Sequence, residues 1–169
     1  TLNENSQITP KTKEVLTKAT AAGHIVSIVT GRPNRISENY YDFLGLKSPM
    51  INFNGAVGHI PHQTWDKEYA LTFNRDIAFE ILAAKEQLGI KVVAAEGKNM
   101  ALADVPNTVI DDFFPVTLKA NEVLNKINLQ ENPSAMTMLV DKLQLPKTVS
   151  ALEENFGDKI NVGVWGGPN

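Results

Sequence analysis

Cysteine is absent from the 169 residues, which excludes a disulfide framework and any thiolate nucleophile or metal ligand. No apolar run approaches the roughly eighteen residues that a membrane-spanning helix requires. Basic clusters are missing too. With 16 Lys and Arg against 19 Asp and Glu the formal net charge is −3, the wrong sign for a protein that grips nucleic acid by neutralising many phosphates. The opening Thr1-Leu2-Asn3-Glu4-Asn5 has neither the basic segment nor the apolar stretch of a secretory signal, so the reading is a cytoplasmic protein with small-molecule partners. Hydrophobic residues make up 43% and charged residues 21%, the proportions of a folded chain and not of a disordered or fibrous one. The length suffices to bury a core without metals or disulfides. The chain opens on Thr where a gene product would open on Met, which raises the expectation of a longer parent.

The first third alternates between helical and extended patterns. Thr9-Pro10 supplies a cap and a first-turn proline, and Val15, Leu16, Ala19 and Ala22 recur at helical spacing until Gly23. His24 to Thr30 is β-branched and almost continuously apolar, which predicts a strand covered on both faces. A helix is predicted over 34–44, with Ile36, Tyr40, Phe43 and Leu44 inward and Gly45 as its stop, then a strand over 50–54. Strand, helix and strand within roughly thirty residues predict a right-handed βαβ unit and a parallel sheet. Residues 57–69 read as a hairpin or linker, and a domain boundary is expected near Thr72. Beyond it the pattern predicts helices over 75–88, 120–128 and 146–156, strands over 90–95, 135–140 and 159–165, and a hairpin at Gly97-Lys98-Asn99. These describe a small α/β sandwich with helices against one sheet.

Val29-Thr30-Gly31-Arg32-Pro33 places a hydroxyl, a glycine and an arginine between a strand and a helix, where open α/β sheets bind their ligands. A glycine lets a backbone N–H approach an anion, the helix N-terminus adds partial positive charge, Thr30 can donate from Oγ1, and the Arg32 fork suits phosphate or carboxylate. Taken alone, the tripeptide also fits an ordinary tight turn with a surface arginine. Asn54-Gly55-Ala56 ends the next strand and should open on the same sheet edge; alone, it also fits a plain Asn-Gly turn.

In order and spacing, Thr1-Leu2, Thr9-Pro10, Thr30-Gly31-Arg32, Gly45-Leu46 and Asn54-Gly55-Ala56 resemble the Cof-type phosphatases of the haloacid dehalogenase (HAD) superfamily, closely over residues 1 to 57 and more loosely beyond. The resemblance implies an α/β fold: a partial Rossmann-like (HAD-like) core over 1–72, followed over 73–169 by an inserted α/β cap of the C2 type. It implies a Mg²⁺-dependent phosphatase acting on small phosphorylated metabolites, sugar phosphates among them, through an aspartyl-phosphate. Thr30 then resembles the hydroxyl that holds the transferring phosphoryl group, with Gly31 and Arg32 beside it, while Asn54 and Gly55 resemble the loop facing the substrate.

The paired aspartates of the family's first motif would lie just before Thr1, and its later lysine and Gly-Asp-x-x-Asn-Asp metal motif would follow the cap. The expectation is therefore that this chain alone holds neither nucleophile nor Mg²⁺, does not hydrolyse phosphate esters, and leaves an unpaired Val26–Thr30 strand that invites self-association. The rival readings are a phosphomannomutase-like phosphotransferase and an inactive phosphate-binding module. Lesser candidates favour bland readings. His59-x-x-His62, interrupted by Pro61, reads as a loop and not a metal pair. Asp111-Asp112 reads as solvated charge. Tyr40, Tyr41 and Phe43 read as helix packing with one residue outward. Trp65 either lines the cap or fills its core, and Trp165 is expected in the core.

Overall fold

A computed structural model describes residues 2–107 and 114–165, and the chain divides into two units, Thr1–Leu71 and Thr72–Asn169. In the first unit Thr9 is extended and its Oγ1 accepts the Thr12 N–H at 3.2 Å, and Pro10 opens helix α1 (Pro10–Ala21) where no N–H is needed. No side chain of α1 is buried, and Val15 is 50% exposed. Helix α2 (Asn34–Leu44) ends at Gly45 with φ 65°, a left-handed cap that glycine adopts without steric cost. Its buried face is Asn34, Ser37 and Tyr41, displaced from the predicted one. The reason is polar. Ser37 and Tyr41 bond inward through their hydroxyls, which sets the rotation of the helix, and Phe43 turns outward beneath the Lys13 ammonium, 3.9 Å from its ring centre.

Strands β1 (Met50–Asn52), β2 (Val57–His59) and β3 (Tyr69–Ala70) form an antiparallel sheet in that order, so the 57–69 stretch is a hairpin. The 24–30 segment corrects the expectation of a strand covered on both faces. It makes one parallel bridge, Val29 to Ile51, in which Ile51 N donates to Ile28 O and Thr30 N to Ile51 O, each at 2.9 Å. Val26 and Ile28 pack on the core of Tyr41, Leu46 and Met50. Ile25 and Val29 are 85% and 72% exposed, because among the described residues no layer covers them.

The second unit contains α3 (Arg75–Ala83), β4 (Ile90–Glu96), β5 (Ala101–Ala103), β6 (Ala135–Val140) and α4 (Leu145–Phe156), with an antiparallel sheet ordered β5-β4-β6. Ile77 and Ile81 of α3 and Leu152 of α4 share one core with Val93, Ala95 and Leu102 of the sheet. Val92, Ala94 and Ala103, whose side chains alternate to the opposite face, share a second with Phe114. The β4–β5 turn closes as predicted, Gly97 N donating to Met100 O at 2.9 Å.

Four expectations fail here. Over 120–128 only a 3-10 turn forms, Ala120–Glu122: Asn125 Oδ1 accepts from Ile127 N and Asn128 N, and Asn128 Nδ2 donates to Ala120 O and Val123 O, so side-chain amides replace the helical ladder. Over 159–165 no strand forms, since Ile160 and Val162 satisfy their apolar side chains by packing on the core without pairing. Trp165, beyond them, is 60% exposed and not core. Helix α3 also stops at Ala83, short of the predicted 88. Asp111 and Asp112 lie outside the described residues.

Candidate functional site

The parallel bridge puts the ends of two segments side by side. Thr30 follows directly on the bridged Val29, and Asn54 lies just beyond β1. Asn54 N donates to Thr30 O at 3.3 Å and Phe53 N to Arg32 O at 3.4 Å, so the Thr30-Gly31-Arg32 turn and the Phe53-Asn54-Gly55 turn are laced together through their backbones. The expectation that both open on one edge describes this arrangement of the first unit.

Within the first turn, Thr30 Oγ1 accepts the Arg32 N–H at 3.1 Å. That bond uses the oxygen and leaves the hydroxyl proton to be donated elsewhere. Gly31 N donates to no other described residue. Arg32 Nη1 donates to Tyr40 Oη at 3.2 Å, with the guanidinium 5.9 Å from the centre of the same ring, and Tyr40 Oη donates in turn to Ser6 O at 2.8 Å. The rest of the Arg32 fork has no partner among the described residues. Pro33 then starts α2 without a side-chain cap, so its first N–H groups add their partial positive charge to the same turn. The result is a half-buried cluster of hydrogen-bond donors, which chemically suits an anion with several acceptor oxygens.

The second turn is strained. Phe53, Asn54 and Gly55 have φ of 51°, 53° and 107°, three successive residues in the left-handed half of backbone space. Asn tolerates this conformation through its short polar side chain and Gly through having none, whereas Phe53 adopts it at a cost of about 1–3 kcal/mol. Asn54 is exposed, and Gly55 O accepts from Tyr69 Oη at 3.1 Å.

Sequence reasoning missed a buried polar network beneath these turns. Asn52 Nδ2 donates to Arg32 O at 2.9 Å and to Ser37 Oγ at 2.8 Å, Ser37 Oγ donates to Pro33 O at 2.7 Å, and His59 Nε2 meets Asn52 Oδ1 at 2.9 Å. Asn52 and His59 are both 0% exposed and Ser37 1%. The available signal was an asparagine inside the apolar run Met50-Ile51-Asn52-Phe53, a residue that a buried strand end holds only when it is bonded. His59 and His62 do not converge. His62 is exposed and bonds Asp42 Oδ1 at 2.8 Å, so the loop reading describes His62, whereas His59 ends β2 as a buried strand residue. Among the described residues no three His, Asp or Glu side chains gather as a metal-binding group. The described residues thus gather no ligand set for the Mg²⁺ that the resemblance implies. Trp65 is half-buried in the connection between β2 and β3.

Over residues 1–169 the sequence matches the family described as haloacid dehalogenase-like hydrolase. It is 26% identical to the 5-amino-6-(5-phospho-D-ribitylamino)uracil phosphatase YitU of Bacillus subtilis (strain 168) over 172 residues, covering 99% of this chain and 62% of that protein. Among solved structures it is similar to a haloacid dehalogenase-like hydrolase from Bacteroides thetaiotaomicron, with a TM-score of 0.75 at 13% identity, covering 96% of this chain and 63% of the other. It is also similar to a sugar phosphatase of HAD subclass IIB, with a TM-score of 0.62 at 19% identity, covering 88% and 58%. At such identities these likenesses show the fold, an α/β arrangement with part of a Rossmann-like core. The chain spans about three fifths of the length of the relatives it matches.

Proposed function

This chain belongs to the haloacid dehalogenase-like hydrolase family, and from that premise we propose that the protein is a phosphatase of small phosphorylated metabolites, sugar phosphates among them. The observation that carries the reading is the donor cluster at the laced turns: the Thr30 hydroxyl proton, the Gly31 N–H and the unoccupied part of the Arg32 fork. In this reading Thr30 and Gly31 bind the phosphoryl oxygens, Arg32 binds on the substrate side, and Asn54 and Gly55 form the loop that meets the rest of the substrate. Oriented N–H and O–H donors hold an anion that is fully charged before and after transfer, which is the contribution these residues make. The first unit is then the catalytic core and the second the cap domain. Aspartyl attack and Mg²⁺ are carried by the resemblance alone, and none of the residues named here supplies them. No helix among the described residues is long and apolar enough to cross a membrane, and a cytoplasmic setting is part of the proposal.

The test is phosphate release by the full-length protein from a panel of phosphorylated sugars and nucleotide precursors with added Mg²⁺, for the wild type and for Thr30→Val. Thr30→Val keeps the shape and removes the donor, so kcat/KM should fall roughly tenfold or more with the fold intact. The reading fails if no phosphorylated compound is turned over, and release of an isomerised, still phosphorylated sugar would move it to phosphotransfer.

A further inference from the structure

The geometry points to Asn52 as the residue that positions the phosphate-binding turn, with Ser37 and His59 as its supports. This rests on the phosphate-binding reading of Thr30 and Arg32 and adds to it residues that touch no ligand.

The amide of Asn52 has a single consistent orientation. Both Nδ2 protons are committed, to Arg32 O at 2.9 Å and to Ser37 Oγ at 2.8 Å. Ser37 Oγ gives its own proton to Pro33 O at 2.7 Å, so toward Asn52 it can only accept. Oδ1 is therefore the acceptor facing His59, and His59 carries its proton on Nε2, donating at 2.9 Å. Asn52, Ser37 and His59 are buried, so a partner lost among them is not readily replaced by water.

This network grips the turn at its centre. Arg32 O is held by the Asn52 amide and, more weakly, by Phe53 N at 3.4 Å, while Arg32 N is held by Thr30 Oγ1 at 3.1 Å. A displacement of the Arg32 peptide thus moves the guanidinium and reorients the Thr30 hydroxyl together. Pro33 O, gripped by Ser37, fixes the peptide that starts α2. Donors aimed at a phosphoryl group lose much of their effect when displaced by a fraction of an ångström to an ångström, so a buried amide two peptides away from the ligand governs how well it is held.

The experiment compares full-length wild type with Thr30→Val, His59→Phe, His59→Gln and Ser37→Ala, well below their unfolding temperatures. It reads the inhibition constant of inorganic phosphate together with KM and kcat for the best substrate. His59→Phe and Ser37→Ala should raise the phosphate constant and KM roughly three- to tenfold, with a smaller change in kcat. His59→Gln, whose amide donates from nearly the same place, should stay within about twofold of wild type. Unchanged phosphate constants in His59→Phe and Ser37→Ala, with only lower melting temperatures, would overturn the inference and leave the network structural. Thr30→Val keeps the two failures apart. If it weakens phosphate binding while the network variants do not, only the positioning role falls; if it too leaves phosphate binding unchanged, the phosphate reading falls and the positioning role with it. Should His59→Phe not fold, Ser37→Ala, which removes one hydroxyl, decides.

Discussion

Among the described residues the Arg32 guanidinium meets only Tyr40, through one N–H and its ring, so the side chain adds little to the fold. Arg32→Ala should therefore change the unfolding free energy by no more than about 1 kcal/mol. Turnover of phosphorylated substrates should fall at least roughly tenfold, because a charge-assisted fork is lost. Differential scanning fluorimetry beside steady-state kinetics checks the contrast, and a large stability loss with normal turnover would reverse the assignment. Tyr41 is the opposite case, 2% exposed with its hydroxyl donating to Ser48 O at 2.8 Å. Burial, and secondarily the Asp42 charge, push its phenol above the ordinary value. The folded state holds that proton more tightly than the unfolded chain, so the contribution is full below pH of about 10 and is lost as the pH rises through the raised value. Tyr41→Phe should cost about 1 kcal/mol at neutral pH and show a shallower alkaline loss than wild type in urea titrations across pH. At this scale the side-by-side placement of the Thr30-Gly31-Arg32 and Asn54-Gly55 turns was legible, because their residue types and spacing end adjacent extended segments. Asn52, Ser37 and His59 were not, because a hydrogen-bond network joins residues that share no period along the chain.

Elements were legible where one local signal decided them. Helix α2 begins and ends on its predicted residues because Pro33 and Gly45 bracket it, and β6 does so because Ala135–Val140 is a short, mostly apolar run after Pro133. They were illegible where polar side chains overrode periodicity, as over 120–128. Asn128→Ala there removes two donors to backbone carbonyls and should cost about 1–2 kcal/mol, measured by chemical denaturation of the full-length protein. If the variant became more helical and more stable, the amide-for-ladder account would be wrong. In the second unit Lys85 and Asp104 form a largely buried ion pair, and Asp104 Oδ1 also accepts the Val93 N–H at 2.8 Å. Asp104→Ala leaves a cation and a strand N–H without partners and should cost about 3 kcal/mol or more. Asp104→Asn, which keeps an acceptor for Val93, should cost less.

Among the described residues of the 169-residue chain, Ile25 and Val29 stand exposed on an extended segment that pairs on one side only. Such an edge templates association, so this polypeptide should show a concentration-dependent rise in mass by light scattering. Ile25→Lys with Val29→Lys should suppress the rise, and an unaltered rise would place the contact elsewhere. The polar network has a consequence of another kind, in the history of the sequence. Removing one partner of a buried hydrogen bond costs more than replacing both partners by apolar groups of similar shape. Asn52, Ser37 and His59 should consequently be poor sites for independent drift, and an alignment of relatives should show the three positions changing together.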